Sequence, residues 1–471
     1  MRLKLPRPYS LGQIANYSQG ILDTEAAGCA LQAVLYISTD SRTVERGDLF
    51  LALDGTHDSG ARHIEEAYRR GAGAVFCCHT VKSDLPLCFI RCYSVTEGLA
   101  AWASEHLRTV SPTVIAITGS VGKTTTRHML STVLSLSHRV HESPHNYNNL
   151  LGTSLTLLTM PSDTDYLVAE CGMDGRGQIA RLSRMLEPHL GVITNVGVSH
   201  LQKLGTRKEI CRAKWEIADG MHGGTVFYPG DQPLLSCYAP HTAVPVYVGS
   251  GKPCVRYHSA KRGVTYFSYV SRNQTIQNLS LPLMGEHLLR CAALAIAVAE
   301  RLSVTPKDIR DGLSQYEPVG NRHKLYTFGA HRVIDDSYNA SPDSMAGAAD
   351  TLSLTASDTG ATVRLAVLGD MLELGENAPS LHVETGALFA RKGATHLICV
   401  GDFATEYAKG AASCGMVEEH MRRFETNVCE TDVLAEIERI CAEPAVVLFK
   451  GSNATPISSL ASKWIARFKH P

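Results

Sequence analysis

The chain is 471 residues long, and its fourteen cysteines include no C-x-x-C pair. That absence removes the usual zinc-ribbon spacing and points to reduced thiols in a cytosolic protein, not to a disulfide frame. Charge of one sign is missing too: Lys+Arg 45 stand against Asp+Glu 46, a formal net charge of −1. Such balance leaves no electrostatic footprint for a nucleic-acid partner, and no like-charge run is long enough to be an interaction tail. No apolar run reaches transmembrane length; the alanine-rich stretch 292–299 is bounded by Arg290 and Glu300. Residues 1–8 contain no apolar h-region, so the expectation is no signal peptide and no membrane insertion. There is no internal repeat and no low-complexity segment. G-x-G-x-x-G is absent as well, so nicotinamide binding has no support. The length suits about three domains with sizeable cores.

What is present centres on Gly119-Ser120-Val121-Gly122-Lys123-Thr124-Thr125. The apolar run 113–117 before it reads as a buried strand, and 125–136 after it reads as a helix. Strand, glycine loop, Lys-Thr and helix make the phosphate cradle of a P-loop. Glycines let backbone N–H groups turn toward phosphate oxygens, and the helix N-terminus adds partial positive charge. Lys123 is placed to reach the terminal phosphates, and the Thr124 hydroxyl to take a place on Mg²⁺. The position five before Gly122 is Ile117, where the general pattern has glycine; the extra glycine is Gly119. The bland alternative is a chance glycine turn before a helix.

The first hundred residues read as a small α/β unit. Residues 48–53 are strand-like, 64–70 have helical spacing, and 74–77 form the next strand. Ser94 and Glu97 have the spacing of a capping box opening a helix through Leu107, and Pro112 marks a boundary. The middle region alternates strands and helices. Its apolar runs 166–169 and 190–194 end in Glu170 and Asn195, as in parallel strands covered on both faces. Residues 225–283 lose helical spacing and look β- and turn-rich. Within them Gly249-Ser250-Gly251-Lys252 is followed by Pro253, which makes a turn and not a second phosphate loop. In the last third, apolar runs deliver Asp335-Asp336, Gly369-Asp370, Gly401-Asp402 and Lys450-Gly451 at their C-terminal ends, the binding edge of an open parallel sheet.

Three residues narrow the use of the phosphate site. Glu170 ends a strand, where a carboxylate can meet Mg²⁺ or merely cap a helix. His200 follows Thr194-Asn195-Val196-Gly197-Val198-Ser199, and Lys214 lies on a helix in Arg212-Ala213-Lys214-Trp215-Glu216-Ile217. Alone, the first would be structural and the second a solvated lysine. Together, G-S-V-G-K-T-T, A-E-C-G-M, T-N-V-G-x-x-H and R-A-K-x-E-I resemble the ATP domain of the Mur ligases. The resemblance implies Mg²⁺ ligands at Thr124, Glu170 and His200, and an N-carbamylated Lys214 positioning a second Mg²⁺. It implies a three-domain α/β architecture, with 1–109 binding the UDP substrate, 110–316 binding ATP and a Rossmann-like 317–471 binding the acceptor.

Further matches point to the branch that adds D-alanyl-D-alanine to UDP-N-acetylmuramoyl-tripeptide. They are Asn146-Tyr147-Asn148-Asn149, the stretch from Ile334 to Met345, Leu368-Gly369-Asp370-Met371-Leu372-Glu373-Leu374-Gly375 with His382 beyond, and Lys450-Gly451-Ser452. Near the start, Thr39-Asp40-Ser41-Arg42 and Gly47-Asp48-Leu49-Phe50 resemble the uridine-nucleotide domain. By this resemblance Asp336 and Asn339 join residues 119–125 in binding ATP, and Arg322 reaches the phosphate as a catalytic group beside Lys123, His200 and Lys214. Ser41, Arg42, Asn148, Asn149, Ser344, Asp370 and Glu373 bind the substrates. The implied protein is a monomeric cytoplasmic enzyme of peptidoglycan precursor synthesis that uses ATP and two Mg²⁺ ions.

The chain departs from that family at G-x-H-N-x-x-N, which reads Gly285-Glu286-His287-Leu288-Leu289-Arg290-Cys291 and loses both base-holding amides. D-G-H is eroded to Ser59-Gly60-Ala61, and K-G-S-R ends in Asn453. Rival readings are an amide ligase of the folylpolyglutamate synthase type, a degenerate nucleotide-binding regulator, and a mechanical or signalling P-loop NTPase.

Overall fold

The computed structural model describes residues 1–23, 28–55, 58–144, 146–198 and 201–469. Three sheets follow one another along the chain. In the first, strands Ala33–Ser38, Leu49–Leu51, Ala74–Cys78 and Cys88–Cys92 are parallel neighbours, flanked by antiparallel Arg2–Ser10 and Ile21–Leu22.

The second sheet has nine strands. Thr113–Thr118 lies at its heart, between Tyr166–Glu170 and Leu190–Ile193, all parallel. Val140–Glu142 closes one side, and Thr225–Pro229 and Val244–Val248 extend the other. The segment expected to be β- and turn-rich adds Cys254–Lys261, Val264–Val270 and Thr275–Leu281, successive neighbours that pair antiparallel with one another. The glycines at 249 and 251 sit in a turn, both with positive φ. The third sheet pairs a hairpin, Lys324–Phe328 with His331–Asp335, onto parallel strands Ala445–Lys450, Val363–Gly369, His396–Val400 and Met421–Phe424.

The apolar runs become strands because they are buried on both faces: Ile115, Ile117, Val168, Val192, Leu365, Ile398 and Leu448 are all fully enclosed. Helix ends are less regular. Ser94 caps the helix Val95–Val110, its Oγ accepting from the Glu97 N–H, but the return bond of a capping box is not made. The Glu97 carboxylate pairs with Arg181 instead.

One hydrophobic cluster runs without a break from the first domain into the second, from Leu5, Ile37, Phe76 and Trp102 to Val114, Leu155, Ile179 and Trp215. A polar tie crosses the same boundary. The Tyr9 hydroxyl donates to His106 Nδ1 at 2.6 Å, and His106 Nε2–H donates to the Met160 carbonyl at 2.8 Å. The third domain has two clusters of its own, one on each face of its sheet, the second holding Trp464.

The expectation of reduced thiols throughout fails at one pair. Cys29, in a turn, and Cys88, at the start of a strand, form a disulfide with Cα atoms 5.8 Å apart. Spacing rules do not see two cysteines that the tertiary fold brings together from 59 residues apart. The other twelve are free.

Candidate active site

The helix Lys123–Leu134 starts directly after the glycine loop, at the C-terminal end of the central strand. The loop is held from behind by the end of the neighbouring strand. Asn195 Oδ1 accepts from the Val121 N–H at 2.8 Å, the Asn195 carbonyl accepts from the Ser120 N–H, and Thr194 Oγ1 donates to the Val121 carbonyl at 2.5 Å. Ser120 Oγ in turn accepts from the Gly197 N–H at 3.0 Å. This explains the glycine at 119, whose φ is 147°: a Cβ there would lie 1.8 Å from Thr194 Oγ1. Lys123 Nζ folds back to the Gly119 carbonyl at 2.7 Å. Its pKa is lowered by burial and by the charge of Arg322, while Glu170 opposes the shift. Thr124 and Thr125 are buried in the first turn.

Glu170 is 1 % exposed and ends the strand beside the P-loop. Arg127, on the P-loop helix and equally enclosed, donates to Glu170 Oε1 at 2.9 Å and to Glu142 Oε2 at 3.0 Å. One guanidinium therefore serves two carboxylates and cannot neutralise both. His128 Nδ1 lies 2.9 Å from the other Glu142 oxygen.

Lys214 is 1 % exposed on the helix Arg207–Trp215. No described residue gives its Nζ a hydrogen bond or an ion pair. Burial, reinforced by the charge of Lys123, drives its pKa well below the usual lysine range. Its neighbour Cys171 is pushed up to about 12 by burial and by Glu170. His200 lies outside the described residues. Among the described residues no three His, Cys, Asp or Glu side chains gather at one point. The oxygens of Glu170 and Thr124 nevertheless suit Mg²⁺, which binds through one or two protein ligands together with phosphates and water.

The third domain faces this loop. Arg322 lies with its guanidinium carbon 3.5 Å from the Tyr338 ring centroid, and its charge reaches Lys123. On the helix Pro342–Thr359, Asp343 reaches the 194–198 loop: a Cβ on Gly197 would lie 1.9 Å from Asp343 Oδ2. Asp336, 3 % exposed, accepts from Lys450 Nζ at 2.5 Å and from the His323 N–H at 3.2 Å. Burial would raise its pKa, but His323 and Lys450 hold it below the ordinary carboxylate range. Asn339 is exposed, and its carbonyl accepts from Lys450 at 3.1 Å.

Several residues expected to touch substrate have structural duties. Ser344 completes a capping box with Ser341. Both Asp370 carboxylate oxygens accept backbone N–H groups, from Asp402 at 2.8 Å and Phe403 at 3.1 Å. Asn149 caps the helix Leu150–Leu158, accepting from the Gly152 N–H. Asn148 packs against Gly172, two residues past Glu170. The loop 372–375 carries left-handed backbone at Glu373 and Gly375 and borders Gln202 of the second domain. His382, fully buried, anchors it: Nε2 accepts from the Met371 N–H at 3.0 Å, and Nδ1–H donates to the Ala378 carbonyl at 2.6 Å. In the first domain, Asp40 grips Arg42 at 2.9 and 2.8 Å, leaving the guanidinium largely exposed, while Ser41 donates to Glu66.

The lost amides leave apolar packing. Leu288 is in the core, and Cys291 Sγ lies 3.8 Å from the Gly122 carbonyl, under the P-loop. The residues that sequence reasoning missed are Arg127, Asn195 and Lys450. A polar or charged side chain on a helix or a strand end reads as solvated until its burial is seen; the only available signals were the motifs these residues stand in.

Three family descriptions match the chain: the Mur ligase middle domain at 117–299, the Mur ligase, glutamate ligase domain at 321–453, and the Mur ligase family, catalytic domain at 34–101. The UDP-N-acetylmuramoyl-tripeptide--D-alanyl-D-alanine ligase of Bacillus subtilis is 32% identical over 465 residues, covering 96% of this chain and 98% of that protein. Crystal structure I of MurF from Acinetobacter baumannii is similar with a TM-score of 0.87 at 27% identity, covering 98% and 100%. MurF ligase from Thermotoga maritima in complex with ADP is similar with a TM-score of 0.78 at 25% identity, covering 92% and 97%.

Proposed function

This chain belongs to the Mur ligase family, and from that premise we propose that it joins D-alanyl-D-alanine to UDP-N-acetylmuramoyl-tripeptide at the expense of ATP. The observation that carries the reading is that the third domain reaches the phosphate site. Lys123 feels the charges of Glu170 and, from the third domain, of Arg322, and the loop 372–375 borders the second domain at Gln202. The domains are assigned as 1–109 for the UDP substrate, 110–316 for ATP and 317–471 for the dipeptide, in a monomeric cytoplasmic enzyme.

Joining a carboxylate to an amine in water is uphill. The tripeptide's terminal carboxylate attacks the γ-phosphate, releasing ADP and leaving an acyl phosphate; the dipeptide amine then attacks that carbonyl and phosphate departs. Each stage concentrates negative charge, so positioned cations are the main requirement. Lys123 and Arg322 supply them from the protein. Thr124, Glu170, His200 and Lys214 would hold two Mg²⁺ ions, which would supply further charge neutralisation. Lys214 serves as a carbamate. An ammonium offers no oxygen to a metal, whereas a buried neutral amine can add CO₂ and present an anionic oxygen donor. Asn195 and Thr194 hold the loop in shape before the nucleotide arrives, which lowers the reorganisation needed in the transition state. Arg42 meets the substrate diphosphate on the first domain. Asp370, Ser344 and Asn149 shape the loops, and the loop 372–375 with Glu373 contacts the dipeptide. Closure of the third domain keeps water from the acyl phosphate.

Phosphate release measured with each substrate omitted tests the reading. Release should require both UDP-N-acetylmuramoyl-tripeptide and D-alanyl-D-alanine. Equal stimulation by glutamate and a folate would move the protein to the folylpolyglutamate synthase type, and release without any acceptor to a plain NTPase.

A further inference from the structure

The strand Ala445–Lys450 lies between the two strands whose ends carry the nucleotide-side and acceptor-side loops, His331–Asp335 and Val363–Gly369. Its three-residue exit, Lys450-Gly451-Ser452, bonds to both loops. Lys450 is 2 % exposed. Its ammonium donates to Asp336 Oδ2 at 2.5 Å, to the Asn339 carbonyl at 3.1 Å and, more weakly, to the Asp336 carbonyl at 3.5 Å. Two residues on, the Ser452 N–H donates to the Asp370 carbonyl at 3.1 Å, and Ser452 Oγ accepts from the Leu372 N–H at 3.0 Å. Gly451 allows the close approach between them: a Cβ there would lie 3.2 Å from the Gly369 Cα. Asp336 passes the restraint on, because its second oxygen accepts from the His323 N–H, the residue after Arg322.

We propose that Lys450-Gly451-Ser452 is a positioning segment for the reaction, with Lys450 setting the nucleotide side and Ser452 the acceptor side. The inference rests on the ligase activity proposed above. A buried ion pair is a poor way to gain stability, since two apolar residues of the same volume would hold a fold as well. Three donors from one ammonium do what apolar packing cannot: they fix the direction of a carboxylate and of a loop carbonyl together. Through Asp336 and His323 they also restrict where Arg322 can aim.

The test is steady-state kinetics with all three substrates, together with ADP affinity by isothermal titration. Lys450→Met alone leaves a buried carboxylate without its partner, so the informative variant is Lys450→Met/Asp336→Asn, checked for folding by circular dichroism. It should raise the KM for ATP and weaken ADP binding by about tenfold, the scale expected for slight misplacement of bound groups, while the KM for UDP-N-acetylmuramoyl-tripeptide stays within about twofold. Ser452→Ala should instead raise the KM for D-alanyl-D-alanine and leave ADP affinity unchanged. Purely structural bonds would lower the active fraction and leave every KM and the ADP affinity in place, which would overturn the proposal. So would a Ser452→Ala enzyme whose ADP affinity falls as far as that of the double variant. If the wild type shows no acceptor-dependent turnover, the ligase reading fails, and ADP titration still decides the Lys450 half.

Discussion

A lysine enclosed without a hydrogen-bond or ion-pair partner among the described residues is an expensive residue, and Lys214 keeps that cost within reach of the charge of the half-buried Lys123. Lys214→Ala should fold normally yet be nearly inactive. A small carboxylic acid in the buffer should restore part of the rate by supplying the missing oxygen. Carbon-13 bicarbonate should give a carbamate signal in the wild type that the variant lacks; a wild type without the signal, matched by full activity in the variant, would reduce Lys214 to a structural residue. Lys123→Ala removes charge stabilisation that grows in the transition state, and kcat should fall by about a hundredfold or more. Turnover near the wild-type rate would mean that phosphate is transferred elsewhere. At this scale the sequence was uneven in what it disclosed. Lys123 and Thr124 were legible from spacing alone, because a phosphate cradle is local. Lys214 and Glu170 were legible only as members of an ordered set of motifs. Arg127 drew no notice and Asn195 was given no role, because their partners lie tens of residues away in the chain.

Secondary-structure elements were legible where burial is symmetrical. The apolar runs of the last third became neighbouring parallel strands, and the region expected to be β- and turn-rich became an extension of the central sheet, parallel at first and antiparallel over its last three strands. Helix ends were harder, since side chains that could cap have competing uses. Glu97 prefers Arg181 to its own helix, whereas Ser344, read as a substrate contact, caps one. Ser344→Ala should therefore cost about 0.5–2 kcal/mol in stability, measured by urea unfolding, and leave the KM for D-alanyl-D-alanine unchanged. A raised KM at undiminished stability would return Ser344 to the acceptor site. His382 offers the converse case. His382→Phe keeps a ring against Phe403 and Tyr407 but loses the bonds to the Met371 N–H at the loop's root and to the Ala378 carbonyl of its own helix. It should cost about 1–3 kcal/mol and raise the KM for the dipeptide; unchanged kinetics would show that the loop 372–375 holds its shape unaided.

At the scale of the molecule, six histidines among the described residues have pKa values lowered by burial: His106, His141, His287, His323, His382 and His396. His287 goes furthest, to about 3. In the unfolded chain each would titrate near 6.5, so below that pH the unfolded state binds more protons than the folded one. Their contribution is complete above about pH 6.5 and is lost as pH falls toward the folded values. Asp335, Asp343 and Asp370 are raised and act in the opposite sense from about 3.9 upward, but they are three carboxyls set against six imidazoles. The melting temperature should therefore fall between pH 7 and pH 5; a flat or rising profile would mean that these imidazoles find partners when protonated.

The unbroken core between the first two domains also has a spectroscopic consequence. The chain has three tryptophans, and each domain holds one: Trp102, Trp215 and Trp464, all nearly enclosed. Trp102 and Trp215 belong to one continuous cluster, while Trp464 belongs to a cluster confined to the third domain. Variants keeping a single indole, with phenylalanine at the other two positions, turn that partition into emission spectra. In rising urea the Trp102 and Trp215 signals should shift to the red together, as one cooperative unit, and the Trp464 signal on a curve of its own. Three superimposable curves would show that the chain melts as a single body despite its separate cores.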